Sequence, residues 1–265
     1  MPSEAERTER VRNQGKPDGL FRACMDTIRK SHSVGQALRG AALAAGLMSD
    51  ARCYAELLGQ FYVATEAMER RMDDSLASGD ADSFKVLRRV KELGYNFRTG
   101  YEQDLEHLLG LDWKRTLGDW TTNPAKIYAE RLEVANEMEL AAAAFILWGP
   151  LIIGGGAALK PRVQKAFGAG ATGVFQDVIG VARGGRSARR LEFIETYDEL
   201  LSDEEDDKKR SRDFAEIVKS SADFMALNNE MMVAVKQRPW WSKYVWGGVV
   251  VVAGALAWRY KAPRQ

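Results

Sequence analysis

The chain has 265 residues with 38 basic and 37 acidic side chains, a formal charge of +1. That balance excludes a protein built to hold nucleic acid, which needs a basic excess or stripe to neutralise phosphates. The only cysteines, Cys24 and Cys53, make neither a disulfide framework nor a four-ligand zinc site, and a chain this long can bury a large core without them.

Apolar residues recur at helical spacing almost throughout, and alternating strand-like runs are nearly absent. The expected fold class is therefore all-α, a multi-helix bundle. Met1 to Asp18 is polar and charged, has no apolar stretch and contains acidic residues. It reads as neither a secretory signal nor a transit peptide but as a disordered lead-in over residues 1–18. Residues 19–238 read as the helical domain. Leu20 to Arg39 is the first helix, followed by small residues from Gly40 to Leu47. Ser49-Asp50 caps a second helix reaching about Leu76, with Tyr54, Leu57, Leu58, Phe61 and Tyr62 on its apolar side. Gly79-Asp80 marks a turn, Asp82 to Leu93 a short helix, and Gly100 to Leu109 a helix stopped by Gly110. Pro124 opens one long helix to about Trp148, since proline is tolerated in a first turn. Gly149-Pro150 and Gly154-Gly155-Gly156 break or kink it, and Lys160-Pro161 marks a further boundary. Gly168 to Gly173 reads as a flexible loop, followed by a glycine- and arginine-rich stretch (Arg183, Arg186, Arg189, Arg190). Leu191 to Leu201 and Arg212 to Val235 are the last two helices of the domain, separated by a solvated charge block from Asp203 to Arg212.

Residues 239–265 read as a membrane anchor with a short basic tail. Tyr244 to Trp258 carries no charge and would span ~22 Å as a helix, short of the ~30 Å hydrocarbon core. The flanks close that gap: Trp240, Trp241 and Trp246 at one end, Trp258 and Tyr260 at the other, with Lys243 and Arg259 able to snorkel outward. The expectation is a single-pass tail anchor with a cytosolic domain, in the endoplasmic reticulum or the outer mitochondrial membrane.

Three stretches in order carry a resemblance. They are Thr27-Ile-Arg-Lys-Ser-His32 with Ser33 to Leu38, then Gln60-Phe-Tyr-Val-Ala-Thr-Glu66, then Tyr101-Glu-Gln-Asp-Leu105 with Gly110, Trp113, Tyr128, Arg131 and Leu132. Later come Gly155-Gly156-Ala157-Ala158-Leu159-Lys160 and Leu227-Asn228. Together they resemble heme oxygenase of the animal, membrane-anchored type over roughly residues 20 to 235, with the persuasion in their order and spacing. The resemblance implies oxidative cleavage of heme to biliverdin, carbon monoxide and iron, with heme as both substrate and cofactor and an NADPH-dependent reductase as partner. The alternative is a catalytically impaired heme-binding sensor, carrier or scaffold of the same fold.

Within that resemblance His32 is the implied axial ligand of the heme iron, since a neutral imidazole is an iron donor. Gln36, one turn on, is the implied partner that orients it. Gly149, Gly154, Gly155 and Gly156 would let the backbone approach the heme face, because glycine has no Cβ to stand in the way. His107 reads as structural. The sequence also departs from the family. Ile152 or Pro150 stands where the distal aspartate orders water, and Trp148 or Ile146 where the same helix has an arginine. Met25, Ile194 and Asp198 stand where basic residues hold the heme propionates. Arg29, Arg183, Arg186, Arg189 and Arg190 are the available substitutes, since guanidinium suits carboxylates.

Overall fold

The computed structural model describes residues 13–29, 31, 47–78, 83–154, 156–176 and 184–235. Ten helices carry these residues, and there is no strand among them. α1 covers residues 20–29, α2 Ala51–Ser78, α3 Lys85–Glu92, α4 Phe97–Leu109 and α5 Trp113–Trp120. α6 is Asn123–Glu133, α7 Glu137–Ile152, α8 Gly156–Phe167, α9 Gly185–Glu199 and α10 Asp207–Ala234. The expected all-α bundle is the observed one.

The centre of the bundle is α7, in which every residue from Leu140 to Gly149 is buried. A helix apolar on all sides must be enclosed on all sides. α10 lies along it, α3 and α9 close further faces, and Phe21 of α1 meets Phe145 edge to face at 5.8 Å. Phe145 also contacts Phe193 and Tyr197 of α9, and the Tyr197 hydroxyl donates to the Ala141 carbonyl at 2.8 Å. α2 packs along α4 and α6 to form the other half of the bundle.

Local chemistry sets the helix ends. Asp50 Oδ1 accepts from the N–H groups of Arg52 and Cys53, the cap expected for α2. Gly110 stops α4 with φ of 80°, a conformation other residues rarely adopt. The single long helix expected from Pro124 to Trp148 is two helices. Asn136 accepts from Glu139 N–H while Glu139 accepts from Asn136 N–H, a reciprocal cap that starts α7 afresh. Pro161 is no boundary either, because it lies inside α8. Gly168 to Gly173 is not a loose loop: it forms two 3₁₀ turns, Ala169–Ala171 and Gly173–Phe175, with residues 171–175 buried. The block from Asp203 is only partly a turn, since Asp206 caps α10 through the N–H groups of Lys208 and Lys209. Residues 13–18, expected within the disordered lead-in, form turns in which Gly15 is buried and Lys16 N–H donates to Asp198.

Among the described residues no helix is long and apolar enough to cross a membrane. The expected anchor over 239–265 lies outside them.

Candidate functional site

His32, Gln36 and Gly155 lie outside the described residues, so the proximal side of the expected site is approached through its neighbours. Phe21, Cys24 and Ile28, at helical spacing, are the buried face of α1. Cys24 Sγ meets Ser221 Oγ at 3.6 Å, and the Ser31 carbonyl accepts from Asn229 Nδ2 at 2.8 Å. A seven-residue step on the first segment thus matches an eight-residue step on α10, so the two run parallel. The Ser31 carbonyl leading into His32 is held by Asn229 of α10. Among the described residues the buried Asn228 Oδ1 has no hydrogen-bond partner, and neither does Asn229 Oδ1.

The other side is the end of α7. Pro150 has no N–H, so its turn lacks a helix bond to the Ile146 carbonyl. Ile153 N–H and Gly154 N–H both turn back to the Gly149 carbonyl, at 2.7 and 3.4 Å. A Cβ on Gly154 would stand 2.6 Å from the Pro150 carbonyl oxygen, so this glycine is required by the kink. Gly149 is buried but not sterically required, since a Cβ there would meet nothing closer than 3.6 Å. Gly156 opens α8. Ile152 and Trp148 are buried and Ile153 nearly so. The Trp148 indole donates to Glu69 Oε1 at 3.3 Å, and Arg98 N–H donates to Glu69 Oε2 at 3.4 Å. Glu69 was missed in the sequence, where it reads as one more charge in Glu69-Arg70-Arg71. Its only signal is its place on the buried face of α2, one turn beyond Thr65. Burial pushes its carboxyl up to about 7, ahead of the hydrogen bonds and the cations of Lys91 and Arg98 that pull it down.

The arginines separate. Arg189 is buried, donates to the Leu93 carbonyl and Glu192, and lies 4.1 Å from the Tyr95 ring centroid. It is a core cation rather than a solvated one, and it is spent on structure. Arg29 is exposed, and Arg186 is exposed and donates to the Gly154 carbonyl at the kink at 3.0 Å. Arg190, one turn further along α9, is half-buried, and desolvation and the neighbouring Arg186 charge lower its pKa. Arg183 lies outside the described residues. Asp198, at a propionate position, accepts from the N–H groups of Lys16 and Phe21 instead. His107 is structural as expected, its Nε2 at 3.0 Å from the Phe167 carbonyl that ends α8.

No protein-family model matches the sequence, and no curated protein matches it. Solved structures do. Heme oxygenase 2 from Chlamydomonas reinhardtii, solved without heme, superposes with a TM-score of 0.70 at 25% identity, covering 84% of this chain and 100% of that one. The chain has the heme oxygenase fold. Heme oxygenase-1 from the cyanobacterium Synechocystis, solved in complex with heme, superposes at 0.61 with 20% identity, covering 91% of this chain and 99% of its own. The heme oxygenase from Leptospira interrogans gives 0.62 at 18% identity, covering 81% and 98%.

The heme oxygenase fold makes heme the ligand to test against these residues. A groove of about 420 Å³ between α3 and α9 is lined by Glu92, Glu192, Glu195 and Glu199 with Arg89. Four carboxylates repel a dicarboxylate, so that groove does not fit heme. The kinked end of α7 suits heme better: Ile152 and Ile153 there are apolar and buried, and the turn requires Gly154. Among the described residues no three His, Cys, Asp or Glu side chains converge as a metal site of their own.

Proposed function

We propose that this protein binds heme between α1 and the kinked end of α7 and cleaves it oxidatively to biliverdin, carbon monoxide and iron. Supporting this is the heme oxygenase fold, together with solved heme oxygenases of that fold that hold heme. The observation that carries it is that the Ser31 carbonyl leading into His32 is held by Asn229 of α10, next in sequence to Asn228, whose buried Oδ1 has no hydrogen-bond partner among the described residues. A buried polar group without a partner costs roughly 1–3 kcal/mol, which a bound molecule or its waters would relieve. Heme would supply the oxygen chemistry, with electrons from an NADPH-dependent reductase. His32 would be the axial imidazole and Gln36 its orienting partner. Gly149, Gly154, Gly155 and Gly156 would admit the macrocycle against the backbone. Arg186, which donates to the Gly154 carbonyl at the kink, and Arg190, one turn on, would take the propionates. Attachment to a membrane through residues 239–265 is part of the same proposal and rests on the sequence alone.

One observation favours a second reading, heme binding without turnover. Near the end of α7 the buried side chains Trp148 and Ile152 bring one polar group, the Trp148 N–H, and it is spent on Glu69. Neither Trp148 nor Ile152 can hold the water that the family's aspartate holds.

Hemin added to the full-length protein decides between them. The expected result is a histidine-type Soret band that is lost in His32→Ala. Biliverdin formed on adding a reductase and NADPH supports cleavage, and a stable complex without biliverdin supports the second reading. A wild type without a band overturns both.

A further inference from the structure

We propose that Glu69 is a positioning residue for the end of α7, its carboxyl holding the Trp148 indole and so seating the turn whose own backbone is interrupted at Pro150. The consequence for heme rests on the proposed function; the seating itself does not.

The argument starts from the backbone. Pro150 removes one helix bond, and at the end of the helix the N–H groups of Ile153 and Gly154 share the Gly149 carbonyl. The end of α7 is therefore held less by its own ladder than a regular helix end, and side chains must fix it. Trp148 is the last long side chain before Pro150 that lies wholly in the core, with its ring against Tyr95 at 5.4 Å and Phe97 at 6.3 Å. Those ring contacts leave its one polar atom to find a partner. That partner comes from across the bundle, from α2, and it is a carboxyl only 3% exposed.

An apolar side chain would fill the same volume without the cost of desolvating an acid. What only a carboxyl or amide oxygen provides here is an acceptor for the indole, and its second oxygen ties the same group to Arg98 N–H at the start of α4. Glu69 therefore fixes α7 relative to both α2 and α4. The charged and titratable groups facing it are Lys91 of α3 and Arg98 and Tyr101 of α4. Trp148 faces it from α7. With its carboxyl pushed up to about 7, Glu69 changes charge near neutrality, so the surroundings of the indole change with it.

The test uses the full chain without heme and then with hemin. Near-ultraviolet circular dichroism followed from about pH 5.5 to about pH 8.5 is expected to show a tryptophan transition centred near neutrality in the wild type. It should be absent in Glu69→Gln, which keeps an acceptor but cannot ionise, and in Trp148→Phe. Hemin affinity should fall ~10-fold in Glu69→Leu and stay within ~2-fold in Glu69→Gln, the pattern of a lost acceptor rather than a lost charge. A transition that persists in Glu69→Gln, or hemin binding in Glu69→Leu equal to wild type, overturns the proposal. Should Glu69→Leu not fold, the glutamine variant and the pH profile decide it. A wild type that takes no hemin removes the heme reading, and the heme-free transition still decides the seating.

Discussion

At the scale of single residues, the chain reassigns charged positions from ligand to structure. Asp198 stands where the resemblance expects a propionate-binding cation. Its carboxylate accepts from Lys16 N–H at 2.7 Å and Phe21 N–H at 3.1 Å, closing the entry to α1. An anion at a helix start satisfies free N–H groups and complements the helix dipole. A Cβ on Gly19 would overlap that carboxylate, so the glycine and the aspartate fit as a pair. Asp104, within the Tyr101-Glu-Gln-Asp-Leu105 motif, does similar work: both its oxygens accept from the N–H groups of Gly173 and Val174, pinning the 3₁₀ turn after α8. Burial pushes its carboxyl up to about 6, ahead of those two bonds, which pull it down. The folded state therefore holds the proton more tightly than the unfolded chain does. This contribution is present in full below the ordinary aspartate value of 3.8 and is lost as pH rises through about 6. Asp104→Asn, which keeps one acceptor, should destabilise by about 1–2 kcal/mol near pH 5 and by less near pH 8, where the wild type carries a buried charge. Urea unfolding at both pH values measures this, and an equal loss at both would show that Asp104 does not titrate in the folded protein.

At the scale of elements, the sequence was legible where periodicity and punctuation agree and misleading where one stood without the other. The cap at Asp50 and the stop at Gly110 were readable because each residue type has one physical use there. The break between α6 and α7 was missed because apolar periodicity runs across it; the signal was Asn136 with Glu139 three residues on. Lys160-Pro161 suggests a boundary, yet α8 runs through Pro161 near the middle of its 12 residues. For the site, the kink is legible from Gly149, Pro150 and the glycine run, and His107 from its place just after Gln103-Asp104, where the family has an aromatic residue. The Glu69–Trp148 pair was not, because a contact between α2 and α7 spans 79 residues and no local pattern announces it. Glycines in the kink also divide by geometry. Gly154→Ala should cost about 1–3 kcal/mol because its methyl would meet the Pro150 carbonyl, whereas Gly149→Ala should be neutral or stabilising by up to ~1 kcal/mol. Thermal unfolding of the two variants separates them, and a Gly154→Ala protein as stable as wild type would show that the kink does not need the glycine.

At the scale of the whole molecule, the described helices already bury what they need to bury. α7 is enclosed, and large apolar side chains such as Leu111 and Val134, in turns between helices, and Val233 of α10 are exposed. None of the described helices is long and apolar enough to cross a membrane. Tyr244 to Trp258 has the composition for it: no charge along the run, aromatic residues at both ends, and cations at Lys243 and Arg259. A core helix would gain nothing from that arrangement, because tryptophans and cations at both ends favour the two faces of a bilayer over a packed interior. Removing Trp240 to Gln265 should therefore move the protein from the membrane fraction to the soluble fraction. Its helical circular dichroism and midpoint of thermal unfolding should stay those of the parent chain in detergent. If the shortened chain aggregates or loses helix signal, those residues contribute to the bundle and the boundary at residue 239 is misplaced.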